Sequence, residues 1–187
     1  MKSIKIGFAP TRRSIFSAPD AIKFANLTRG RLQELGVDFV DITDINEEGL
    51  LYQESDRIKI REKFKAEGID GLFFPHCNFG TEFEVARLAR ELGVPVLLWG
   101  PRDERPEPDG VRLRDTQCGL FATGKVLRRF CVPFTYMTNC RLTDPEFVCY
   151  SRREDFWDYR KDFSAIVPSN KPRYYDIDTF DDGEYEE

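Results

Sequence analysis

Two apolar runs separated by one amphipathic segment constrain this chain more than any other feature. Gly71–Phe74 (GLFF) and Val94–Trp99 (VPVLLW) contain no polar residue, whereas a strand with one solvated face alternates polar and apolar positions. Such runs read as strands covered on both faces. The segment between them places Val85, Leu88, Ala89 and Leu92 on one helical face and stops at Gly93, so it supplies one of the covers. Strand, helix, strand in that order implies a right-handed crossover and a parallel sheet.

The same alternation extends over the first 140 residues. Ser3–Ala9 is an apolar-rich strand ending at Pro10. Ser17 reads as an N-cap, with Pro19 in the first turn and Asp20 closing a capping box. The helix that follows carries Ala21, Phe24, Ala25, Thr28, Leu32 and Leu35 on one face and stops at Gly36. Val37–Ile42 is a second strand. Glu47–Glu67 reads as one or two helices with Gly68 as C-cap. Thr81 and Glu84 predict a capping box for the helix before Gly93, Asp115 predicts the cap of a helix reaching Phe130, and Val132–Met137 is a fifth strand. The expected fold is α/β: a flavodoxin-like, Rossmann-like doubly wound parallel sheet of about five strands.

The expected division is an α/β domain over residues 1–140 and an extension over 141–187. In the extension, Asp144–Tyr159 reads as helical, with Phe147, Tyr150 and Trp157 on one face, and the acidic end reads as disordered. Seven acidic residues lie in Asp176–Glu187, and without them the net charge of −5 becomes +2. That near-neutral body has no basic stripe, so nucleic acid is not an expected partner. No apolar run approaches the ~20 residues needed to span a bilayer, and the N-terminus lacks a signal peptide's apolar core. A cytoplasmic location is expected. Cys77, Cys118, Cys131, Cys140 and Cys149 form no CxxC pair, which argues for reduced thiols and against a zinc site. His76 is the only histidine.

In an open parallel sheet, ligands bind beyond the carboxyl ends of the strands. Those ends carry Thr11, Arg12, Arg13 and Ser14, then His76, Cys77, Asn78, Phe79 and Gly80, then Arg102, Asp103 and Glu104, with Arg112, Arg114, Asp115, Thr116 and Gln117 before the next helix. Guanidinium, carboxylate and amide groups together suit a hydroxyl-rich or anionic small molecule. The competing interpretation is a set of solvated loop ends with N-caps and surface ion pairs.

Several features are weaker than they look. Gly119-Leu-Phe-Ala-Thr-Gly124-Lys125-Val126 resembles a phosphate loop, but it has Val where Mg²⁺ needs Ser or Thr and falls inside a helix. His76 and Cys77, adjacent on a strand end, point to opposite faces and make a poor catalytic dyad. Cys118, at a helix N-terminus, is either a thiol of lowered pKa or a buried core residue. Trp99 either stacks on a sugar or closes the core.

The runs FPHCNFGTEFEVARLARELGVPVLLWGPRDE and GVRLRDTQCGLFATGKVLRRFCVPFTYMTNC, with IKIGFAPTRR and RLTDPEF, resemble the N-terminal half of the L-fucose/L-arabinose isomerase family, in its fucose isomerase-like branch. The resemblance covers Met1–Phe147. It implies an aldose–ketose isomerase ancestry, in which Mn²⁺ bridges the sugar's carbonyl and hydroxyl while carboxylates shuttle a proton through an enediol. It also implies homo-oligomers in which N-terminal residues complete a neighbouring subunit's sugar site. The matching substrate-binding positions are Arg12, Arg13, Cys77, Asn78, Phe79 and Glu82. Motifs holding Arg102, Asp103, Glu104, Arg114, Asp115 and Gln117 also match.

The family's metal ligands belong to later domains, so no catalytic or metal residue carries over to this chain. The expectation is therefore an N-terminal portion that binds a sugar, associates with copies of itself or with a catalytic half, and is inactive alone. A sugar-binding or assembly subunit without catalysis is one alternative. A flavodoxin-like nucleotide-binding domain is another, although Thr11-Arg-Arg-Ser14 is a poor phosphate loop.

Overall fold

The computed structural model describes residues 4–147. The expected helix reaching Tyr159 and the acidic tail lie almost wholly outside the described residues. The elements are β1 (Ile6–Phe8), α1 (Ala18–Glu34), β2 (Phe39–Val40), α2 (Glu54–Glu67), β3 (Gly71–Pro75), α3 (Glu82–Leu92), β4 (Val96–Trp99), α4 (Thr116–Arg129) and β5 (Thr135–Tyr136). All four strand pairings are parallel, in the order β2-β1-β3-β4-β5. That is the flavodoxin-like doubly wound order, with its switch point between β1 and β3.

The apolar runs behave as their composition requires. Successive strand residues point to opposite faces, so Leu72, Phe74, Val96 and Leu98 join one core cluster with Ile60 and Phe64 of α2, Val85 and Leu88 of α3, and Leu120 and Leu127 of α4. Phe73, Leu97 and Trp99 face the other way, onto Leu32 of α1 and onto Met137, Cys140 and Phe147. The two layers make each central strand apolar throughout.

Local signals succeed where a side chain has no stronger partner. The Ser17 hydroxyl accepts from the Asp20 N–H, and Gly68 closes α2 in the left-handed region at φ 62°. Helix α2 begins at Glu54 instead of Glu47, because Asn46 Oδ1 accepts from the N–H groups of Glu48 and Gly49 at 3.1 and 2.8 Å and winds that stretch into a turn. The Thr81–Glu84 capping box does not form. The Glu84 carboxylate instead receives Arg57 Nε of α2 at 2.8 Å and Arg87 Nη1 at 2.7 Å. The Asp115 side chain does not cap α4 either. Asp103, from the loop after β4, accepts the Thr116 N–H at 2.9 Å in its place.

Candidate functional site

The carboxyl ends of β1, β3 and β4 meet at one edge of the sheet. Thr11 extends β1 by bridging to both Leu51 and His76. Asn78, buried just beyond β3, then ties three loops together. Its Nδ2 donates to the carbonyls of Arg13 and Ser17 at 3.1 and 3.3 Å. Its Oδ1 accepts the N–H groups of Arg13 and Phe79 at 2.8 and 2.6 Å, and its own carbonyl accepts from Asp115 N at 2.7 Å. An amide is the side chain that can donate and accept at once in this way.

Two polar clusters rest on that knot. In the first, Arg13 Nη2 donates to Glu82 Oε1 at 2.8 Å while its guanidinium lies 5.0 Å over the Phe79 ring. Phe79 stacks on Phe16 with centroids 5.5 Å apart and planes within 10°. The other Glu82 oxygen is buried without a hydrogen bond. In the second, Arg114 is buried over the Phe24 ring. It donates through Nε and Nη2 to both Glu104 oxygens at 2.9 and 3.1 Å, and through Nη1 to the Cys77 carbonyl at 3.4 Å. Asp103 lies 3.6 Å from the same guanidinium, and burial raises its carboxyl above the usual range. Gln117 Nε2 donates to the Gly100 carbonyl at 3.0 Å. Arg102 points into solvent but its N–H donates to the Cys140 carbonyl.

Arg12 stands apart from both clusters. It pairs with both Glu48 oxygens at 2.6 and 2.9 Å and lies 3.8 Å over Tyr52. Sequence reasoning missed Glu48 and Tyr52, because only tertiary contact brings the loop after β2 to this edge, and Phe16, which joins the site only by stacking on Phe79.

Two of the three nucleophile candidates are sealed in the core. Cys77 is fully buried among Ala21, Ala25 and Leu50, and burial pushes its thiol up to about 12. His76 points the opposite way, as its neighbouring position demands, with Nδ1 3.2 Å from the Trp99 carbonyl and Nε2 2.8 Å from Thr123 Oγ1. Cys118 corrects both expectations for it. It is exposed, and a hydrogen bond with Asp115 raises its pKa instead of lowering it. Trp99 is fully buried against Phe24, Phe73 and Phe147, so it closes the core. The phosphate-loop mimic is helical packing: a Cβ at Gly119 would overlap the Phe79 carbonyl, and one at Gly124 would sit 3.1 Å from Phe134.

Among the described residues, no group of three or more His, Cys, Asp or Glu side chains could hold a metal ion. The Mn²⁺ implied by resemblance has no ligand set of this kind among the described residues. Among the same residues, no helix is long and apolar enough to cross a membrane.

No curated protein matches this chain. Among solved structures, the periplasmic binding protein component of the arabinose ABC transporter from Shewanella sp. ANA-3, bound to alpha and beta-L-arabinofuranose, is 11% identical with a TM-score of 0.32. The likeness covers 84% of this chain and 61% of that one, and at this level it bears on neither ligand nor mechanism. A family model described as "Fucose/sulfoquinovose isomerase, N-terminal domain" matches residues 7–159, most of the 187-residue chain. With its five parallel strands and its polar carboxyl edge, the chain belongs to the fucose/sulfoquinovose isomerase N-terminal domain family.

Proposed function

We propose that this chain is the sugar-facing, non-chemical part of an aldose–ketose isomerase. The observation that carries the proposal is the Arg13–Glu82 pair beside the stacked Phe16 and Phe79 rings. A guanidinium and a carboxylate offer donors and acceptors to hydroxyls, an aromatic face takes the C–H side of a sugar, and an arginine also suits a sulfonate. With His76 and Cys77 held inside the core, the edge supplies binding groups and leaves proton transfer to another part of the enzyme.

Calorimetric titration of the purified chain with L-fucose and sulfoquinovose tests this, alongside a turnover assay with Mn²⁺ present. Weak binding that weakens further in Arg13→Ala, without conversion, is the expected result. Conversion of either sugar by this chain alone overturns the non-chemical role.

An assembly role has its own support. Ile15 is 76% exposed and Leu113 37% exposed, and the Ser17 N–H donating to the Leu113 carbonyl sets their loops side by side. Apolar side chains grouped at one edge suit contact with a second copy of the chain. Sedimentation velocity should detect self-association that Ile15→Asp reduces. A monomer at all concentrations refutes it.

A further inference from the structure

The segment leaving β5 does more than end the sheet. Asn139 Nδ2 donates to the Gly100 carbonyl at 2.9 Å, and the Cys140 carbonyl accepts the Arg102 N–H at 2.9 Å. Arg141–Phe147 then folds over the sheet. The Asp144 carboxylate accepts the Arg141 N–H at 2.8 Å, and the Phe147 N–H donates to the Asp144 carbonyl. Phe147 is fully buried, its ring 4.7 Å from Trp99, and Cys140 is buried in the same apolar cluster. The segment thus grips the end of β4 twice: by its backbone and Asn139 on Gly100–Arg102, and by Phe147 on the residue just before them.

What it grips is the loop that organises the second polar cluster. The Arg102 carbonyl accepts from Arg114 Nη2 at 3.5 Å, Asp103 caps Thr116 at the start of α4, and Glu104 holds the Arg114 guanidinium. The Thr116 cap and the Arg114 clamp both hang on the loop that this segment holds.

We propose that Asn139–Phe147 is a strap whose seating on Trp99 holds Gly100–Glu104 in its capping position. The strap and this part of the carboxyl edge then open and close as one cooperative unit. Unseating Phe147 releases Asp103 from α4 and Arg114 from its carboxylates. This coupling stands whether or not the edge takes a sugar.

Amide hydrogen exchange of the full chain, resolved by residue, tests the proposal in Phe147→Ala and Asn139→Ala. The Thr116 amide, bonded to Asp103, reports the loop, and the Ile6 amide, bonded to the Asp38 carbonyl on the far side of the sheet, reports the domain. Exchange at Thr116 should accelerate about tenfold or more while Ile6 stays protected as in the unaltered chain. Unchanged exchange at Thr116 overturns the coupling, and so does an equal acceleration of both amides, which would mean general loosening. Should Phe147→Ala fail to fold, Asn139→Ala decides on the same two amides.

Discussion

His76 Nε2 lies 2.8 Å from Thr123 Oγ1, with both residues fully buried. The Trp99 carbonyl 3.2 Å from Nδ1 can only accept, so Nδ1 carries the proton and Nε2 accepts from the threonine hydroxyl. Full burial favours this neutral form over the imidazolium. Burial holds its pKa down at about 4, against the opposing pull of the Trp99 and Phe74 backbone hydrogen bonds.

Stability should therefore fall with acid in a defined window. The unfolded chain takes up the proton near 6.5 and the folded chain only near 4. The stabilising difference is complete above about pH 6.5 and is lost as pH falls toward 4. At ~1.4 kcal/mol per pH unit the full loss approaches ~3 kcal/mol. Urea denaturation at pH 7.5 and 4.5 should show a loss about 2 kcal/mol smaller in His76→Gln than in the unaltered chain. Equal losses would mean that the imidazole does not govern this window.

The two glycine classes separate in thermal unfolding. Gly119→Ala forces a methyl into the Phe79 carbonyl, which is backbone and cannot swing aside, so a cost of about 1–3 kcal/mol is expected. Gly30→Ala lies within α1 with no atom within 4 Å of the new methyl. It should stabilise by roughly 0.5–1 kcal/mol through helix propensity.

The Arg114 cluster is asymmetric in burial, and its mutants should be too. The Arg114 side chain is 2% exposed and that of Glu104 is 71% exposed. Glu104→Gln should cost under about 1 kcal/mol, as solvent screens that partner. Arg114→Ala removes the donor to the Cys77 and Arg102 carbonyls and empties the space over Phe24; about 3 kcal/mol is expected, by analogy with breaking a buried pair. Arg114→Lys should recover little, since an ammonium lacks the planar fork that reaches these acceptors. Chemical denaturation of the three variants ranks them.

Cys118 should alkylate slowly for an exposed thiol. Asp115 raises its pKa first by a hydrogen bond and, to a smaller extent, by charge, and the reactive species is the thiolate. Asp115→Asn should speed iodoacetamide labelling of Cys118 at pH 8, followed by peptide mass spectrometry. Cys77 should stay unlabelled in both proteins, being fully buried. A Cys118 rate unaffected by Asp115→Asn would remove the carboxylate as the cause.

Much of the fold was legible because central parallel strands leave a plain mark. Leu72 to Phe74 and Val96 to Trp99 must be apolar on both sides when helices cover both faces. Helix ends were legible only where the capping side chain had nothing better to bind. Ser17 capped as expected, whereas Glu84 went to Arg57 and the cap of α4 came from Asp103, twelve residues before Asp115. A capping box is a local contact of modest strength, and a partly buried ion pair outcompetes it.

The site divides the same way. Residue type and strand-end position were enough to group Arg13, Asn78, Glu82, Asp103 and Arg114 at one edge, because the switch point of a parallel sheet is fixed by strand order. Which of them are bound to each other was decided only in three dimensions. Arg12 turned to Glu48 and Tyr52, Trp99 sank beneath Phe147, and His76 was consumed by Thr123. Periodicity is a one-dimensional property that burial writes into the chain. Hydrogen-bond partnership among side chains tens of residues apart leaves no periodic trace, and it exists only after the loops have met.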